Sequence, residues 1–184
     1  MGLSVWRKGD GGALNGDGAG STFPSGRKGR TVCTELAWTL SAHFESVFAG
    51  PNGDYPAMME ALSGITAEQA LWKPAPDCNS IWQIVDHQSA SNDWQREVLE
   101  QGAADLAGWL QPAGGEDDWR ASLARLGESH VRLLAVITRL TEAQLQTVPD
   151  PADGRTQWEL LLSSAAHEAY HAGQIDYLKG LQAG

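Results

Sequence analysis

Seven positions near the middle of the chain fix the fold class: Trp119, Leu123, Leu126, His130, Leu133, Ile137 and Leu140 follow one another at intervals of 4, 3, 4, 3, 4 and 3. Because about 3.6 residues complete a turn, that alternation lays all seven side chains along one stripe of an α-helix. An apolar stripe of this kind must be buried against others. Three other segments carry comparable stripes: Leu36, Leu40, His43 and Val47 within 34–48; Ile84, His87, Ser91, Trp94 and Val98 within 80–100; and Leu160, Ser164, His167, His171, Gln174 and Leu178 within 156–181. Four long helices with heptad-like seams imply an all-α chain folded as a four-helix bundle around one shared core.

The breaks between these segments are marked by residues that stop helices. Gly50-Pro51-Asn52-Gly53 ends the first, a short helix is expected near 56–62, and Lys73-Pro74-Ala75-Pro76 precedes the second. Thr66 with Gln69, Ser80 with Gln83 and Thr141 with Gln144 have the spacing of capping boxes, in which a hydroxyl and a side-chain carbonyl satisfy the first free amides. A connection over 101–117 holds Gly102, Pro112, Gly114 and Gly115, and Pro149 and Pro151 precede the last helix. Thr66, Gln69 and Trp82 are echoed by Thr141, Gln144 and Trp158, a faint repeat of a helix pair.

Nine glycines fall in residues 1–30, which read as a disordered extension, leaving 31–184 as one domain. That domain carries 8 basic against 21 acidic groups, a formal balance of −13. So acidic a body repels phosphate backbones, so nucleic acid is not an expected partner. No apolar run approaches the roughly 18 residues of a membrane span, and no signal-peptide core opens the chain. Cys33 and Cys78 lack metal or disulfide spacing and read as small apolar fillers in a reducing cytoplasm.

All five histidines, His43, His87, His130, His167 and His171, fall on predicted seams. A buried imidazole needs partners for both ring nitrogens, and a metal ion supplies one. His167 and His171 are four residues apart, about 40° around the helix axis and about 6 Å along it, so both reach one ion. His87, across the bundle, is the first candidate for a third ligand, with His43 and His130 open as a fourth ligand or a general base. The seams carry no Asp or Glu, which argues against a carboxylate-bridged di-iron centre. A three-imidazole site with an open position suits Zn²⁺ or Ni²⁺, with Fe and Mn as alternates.

His167-Glu168-Ala169-Tyr170-His171 also spells the H-E-x-x-H of zinc proteases. No histidine follows His171, and no strand is evident to bind an extended peptide, so the protease reading is set aside. Glu168 lies one residue beyond a seam position, where it flanks the metal or holds the bundle's edge.

Asn79-Ser80-Ile81-Trp82-Gln83-Ile84-Val85-Asp86-His87 resembles the opening of the second helix in the DinB/YfiT-like superfamily, and His167-Glu168-Ala169-Tyr170-His171-Ala172-Gly173-Gln174-Ile175 is similar to its H-x-x-x-H followed by G-Q-I. The resemblance covers residues 31–181. It implies an up-down-down-up four-helix bundle, with 101–117 as the crossover, and a divalent metal on His87, His167 and His171. It also implies transfer chemistry in which a low-molecular-weight thiol, on the metal, attacks an electrophile. The resulting expectation is a metal-dependent enzyme, a thiol-dependent S-transferase acting on a small molecule, with Glu168 and His43 as candidate catalytic groups. A metal-dependent hydrolase on the same ligands is the alternative, and a non-catalytic, stress-related metal-binding bundle is the third reading. A cytoplasmic homodimer is expected in each case.

Overall fold

The computed structural model describes residues 35–102 and 111–183; the glycine-rich segment 1–30, Cys33 and the middle of the 101–117 connection lie outside the described residues. Among the described residues the chain is all-helical, with no strand. Four long helices, α1 (Glu35–Ala49), α4 (Ile81–Gln101), α5 (Glu116–Ile137) and α7 (Gln157–Ala183), are joined through the short α2 (Met58–Ala61), α3 (Ala67–Leu71) and α6 (Glu142–Leu145). No described helix is long and apolar enough to cross a membrane.

The capping boxes form where the sequence places them. Ser80 Oγ accepts from the Gln83 amide at 3.2 Å while Gln83 Oε1 accepts from the Ser80 amide at 3.1 Å, and Thr66 and Thr141 do the same for α3 and α6. Thr156 and Glu159 open α7 in the same way, with the Thr156 amide donating to the carboxylate at 2.8 Å. The faint repeat is therefore physical. In both halves a capped short helix leads through a loop to a capped long helix with a Trp two residues past its cap.

Side-chain bonds show how the helices run. Trp82 Nε1 donates to Ser122 Oγ at 2.7 Å, Arg125 donates to Asp86 at 3.2 Å, Asn92 Nδ2 donates to Ser129 Oγ at 3.3 Å, and Arg132 donates to both oxygens of Asp93 at 3.1 Å. Both residue numbers rise together, so α4 and α5 are parallel neighbours. Ser164 on α7 meets Gln95 while His171 meets His87, so α7 runs antiparallel to α4. α1 packs against α5 and α7.

The apolar interior is divided. One cluster joins Met58, Ile81, Ile84, Val85, Trp119, Leu126, Ala172 and Ile175; the other joins Leu40, Phe44, Leu133, Ile137, Leu145, Leu161 and Ala165. On α5 and α7 the residues between the two clusters include Ser129, His130 and Glu168, all buried, and on α4 Gln88, Asn92 and Gln95 are buried beyond Val85. A polar layer thus crosses the interior at mid-height.

That layer corrects the expected seams. On α1 the interior position belongs to Phe44, and His43 is exposed. On α4 Gln88 is buried and His87 half-buried; on α7 Glu168 is fully buried and His167 exposed. In each case the core face lies one residue beyond the histidine, because the buried positions that continue it at 3 and 4 spacing are Leu40, Phe44 and Val47 on α1, Val85, Gln88 and Asn92 on α4, and Ala165, Glu168 and Ala172 on α7. Only His130 and His171 are buried as expected. Cys78, expected as an apolar filler, is exposed in the loop before α4, where the backbone leaves no core for it to fill.

Candidate metal centre

His87 enters the site seven residues past the Ser80 cap of α4, and His167 and His171 enter it from successive turns of α7. One ring nitrogen from each of the three lies within 4.8 Å of the others. The rings meet edge to face, with centroids 5.5 Å apart for His87 and His167, 5.2 Å for His87 and His171, and 4.3 Å for His167 and His171. Their edges, which carry the nitrogens, therefore converge.

Protonation favours lone pairs over charge at this point. Burial, and then the neighbouring His167, hold the His87 pKa below its usual value; burial lowers that of His167; and burial brings His171 down to about 4 against the opposing effect of its Gln174 hydrogen bond. All three rings are neutral near pH 7. His171 Nδ1 lies 2.7 Å from Gln174 Oε1, an atom that can only accept, so Nδ1 carries the proton and Nε2 presents a lone pair. Gln174 is held in turn by its Nε2, which donates to Tyr170 Oη at 2.9 Å.

The donor set fits a divalent ion. His171 Nε2 and His167 Nε2 stand 3.0 Å apart. A tetrahedral ion with Zn–N bonds of about 2.0–2.1 Å holds two ligand nitrogens about 3.3 Å apart, so small side-chain shifts admit one. Three neutral imidazoles also match the borderline character of such an ion.

His87 and His167 further line a cavity of about 300 Å³ that extends along α4 and α7 past Ser91, Trp94, Gln95 and Arg155. The cluster therefore opens onto space for a small molecule. Residues 54–175 match the family model of the DinB superfamily. The chain belongs to that superfamily. The DinB match takes in all three histidines of the cluster and stops short of α1, so it is narrower than the 31–181 of the sequence resemblance. No curated protein and no solved structure matches the chain.

Within this DinB chain the other candidate residues stand apart from the cluster. His43 is exposed on α1. Glu168 is 0 % exposed in the polar layer, neither oxygen has a hydrogen-bond partner, and burial first, with Glu45 second, pushes its carboxyl up to about 8. It faces the interior rather than the cavity. His130 is stacked on Phe48 at 3.8 Å, with Nε2 3.8 Å from Glu45 Oε2, and burial lowers it to about 4. Asp86, next to His87 in sequence, turns away to Arg125 at 3.2 Å. The cavity residues Gln88, Asn92 and Gln95 went unrecognised from sequence. Their 4, 3 spacing on α4 was the available signal, displaced by the adjacent seam of Ile84, His87, Ser91, Trp94 and Val98.

Proposed function

We propose that the chain is a divalent-metal-dependent enzyme with His87, His167 and His171 as ligands and the adjoining cavity as its substrate site; in its finer form, it is a low-molecular-weight-thiol-dependent S-transferase. The observation that carries the reading is the convergence of three neutral imidazoles at the wall of a cavity of about 300 Å³. A bound divalent ion supplies Lewis acidity and lowers the pKa of a thiol or water at its open position. The chain's own residues do the rest. Gln174 fixes the His171 tautomer and ring orientation, and Trp94, Val98 and Leu160 give the cavity apolar walls that keep water from the reacting groups. Zn²⁺ and Ni²⁺ are the ions best suited to this donor set.

A thiol whose pKa a bound ion lowered would need no protein base, and among the described residues no carboxylate lines the cavity. That weighs against the hydrolase reading with Glu168 or His43 as base. His43 and His130 lie outside the cluster, which weighs against a closed four-ligand structural site. The directions of α4, α5 and α7, with α1 against α5 and α7, support an up-down-down-up bundle. A homodimer in the cytoplasm, acting on a small molecule, completes the proposal.

The test is metal analysis of the purified full chain, followed by conjugation assays with thiols and electrophiles. One equivalent of divalent ion, lost in His167→Ala, is expected; no bound ion, or His167→Ala with unchanged content, would end the reading. Metal-dependent thiol consumption supports the transferase, and metal-dependent ester or amide cleavage without thiol supports the hydrolase.

A further inference from the structure

α7 turns an uncharged face to solvent. Leu162, Ala166, Tyr170, Gly173, Tyr177 and Leu181 follow one another at intervals of 4, 4, 3, 4 and 4, so they form one stripe along the helix, and all six are exposed. Tyr170 and Tyr177 are 61 % and 69 % exposed, and Leu162 and Leu181 37 % and 43 %. No charge interrupts the stripe. Between residue 160 and the end of α7 the charged side chains are Glu168, which is buried, Lys179, which turns back to the Ala61 and Ser63 carbonyls at 3.3 Å and 2.8 Å, and Asp176, about 100° around the axis from Tyr177.

Gly173 lies near the middle of this face. Glycine weakens a helix at such a position, and a methyl group there would meet nothing within 4 Å, so no contact within the chain calls for its absence. Close approach of a second backbone does. The stripe spans about 28 Å and presents roughly 500 Å², so two such faces together would cover on the order of 1,000 Å², the size at which a specific interface begins. Charge selects the occupant. Residues 31–184 carry a formal balance of −13, so another copy is repelled wherever acids face each other and admitted where they are absent. A basic partner is drawn to the acidic faces instead.

We propose that this face of α7 is the interface between two copies of the chain, paired antiparallel across a two-fold axis at Gly173. The inference rests on the homodimer reading and names the surface that forms it. About that axis Tyr177 lies opposite the small side chains of Ala166 and Ala169 of the second copy, and the two Gly173 backbones meet, so large groups face small ones on both sides. Tyr170 is covered at the same time. Its hydroxyl accepts from Gln174 Nε2 at 2.9 Å, and Gln174 holds His171, so the interface anchors the hydrogen-bonded chain behind that histidine.

Sedimentation velocity of the full-length protein from about 1 to about 100 µM tests the proposal. A dimer is expected, and Tyr177→Asp should weaken it by about tenfold or more, while Val131→Asp, on the exposed side of α5, should leave it unchanged. Both side chains point to solvent, so each variant keeps a folded monomer, as helix content will show. Gly173→Cys, combined with Cys33→Ser and Cys78→Ser, should cross-link into a disulfide dimer on mild oxidation, because the axis brings the two sulfurs together. A wild-type monomer throughout that range would overturn the inference and the homodimer reading with it. A dimer that keeps its affinity in Tyr177→Asp and does not cross-link through Gly173→Cys would overturn the inference alone. Zn²⁺ content, measured on the same samples, decides the metal reading separately.

Discussion

The Nε2 atoms of His167 and His171 face each other at 3.0 Å, and the far nitrogen of the His171 ring is held 2.7 Å from Gln174 Oε1. The contact on one side of the ring therefore decides what the other side offers. Gln174→Leu removes the acceptor that keeps the proton on Nδ1, so the ring is free to change tautomer and to rotate. Loss of such a supporting bond typically weakens metal binding by about 10–100-fold. Competition for Zn²⁺ against a chromophoric chelator should show a loss of that order with the helix content intact. Equal affinity in the variant and the wild type would remove Gln174 from the site.

Glu168 makes the metal-free protein less stable as pH rises. Its carboxyl is near 4.5 in the unfolded chain and is pushed up to about 8 in the fold, chiefly by burial. The stability it allows is thus fully present below about pH 4.5 and is lost progressively toward pH 8, because the folded state must hold a proton that the unfolded state has released. The total is on the order of 5 kcal/mol, since each tenfold difference in proton affinity between the folded and unfolded chain is worth about 1.4 kcal/mol. Glu168→Gln should abolish this dependence, so that urea unfolding of the metal-free variant shows a gain over wild type at pH 8 that is absent at pH 5. The same decline in both proteins would place the titrating group elsewhere.

His130 acts in the opposite direction, and at lower pH. Burial takes it from 6.5 in the unfolded chain to about 4 in the fold. Below pH 6.5 the unfolded state binds more protons, so stability falls from there down to about pH 4, by roughly 3 kcal/mol for this ring. His171 adds a similar loss in the metal-free state. His130→Leu should therefore lose roughly 3 kcal/mol less stability than wild type between pH 7 and pH 4, with Glu168, His87, His167 and His171 titrating alike in both proteins, as measured by thermal unfolding over that range. A variant as acid-sensitive as the wild type would contradict the assignment.

The parts of this molecule that were legible in its sequence are those governed by local rules. Ser80, Thr66 and Thr141 cap helices because a hydroxyl three residues before a Gln meets the same free amides in any context. His167 and His171 converge because helix geometry alone brings positions four apart together, and His87 joins them from a position counted from its cap. The depth of each residue was not local. Phe44 displaces His43 from the interior, and Gln88 and Glu168 enter it, because the choice between adjacent positions on a stripe depends on the helix opposite. The amides of Gln88, Asn92 and Gln95 were missed for a related reason. Taken singly each belongs in water, and burial is tolerated only through partners such as Ser129 and Ser164, on helices 37 and 69 positions away along the chain.

The division of the interior into two apolar clusters also bears on how the protein fluctuates. Opening free energies within a domain follow the continuity of its packing, and here that continuity is interrupted at mid-height, where His130, Glu168 and Gln88 replace aliphatic side chains. Each end of the molecule can therefore loosen as its own cooperative unit. His171 adjoins Ala172 of one cluster, and His167 lies two residues past Ala165 of the other, so an ion bridging the two rings would fasten together halves that otherwise breathe separately.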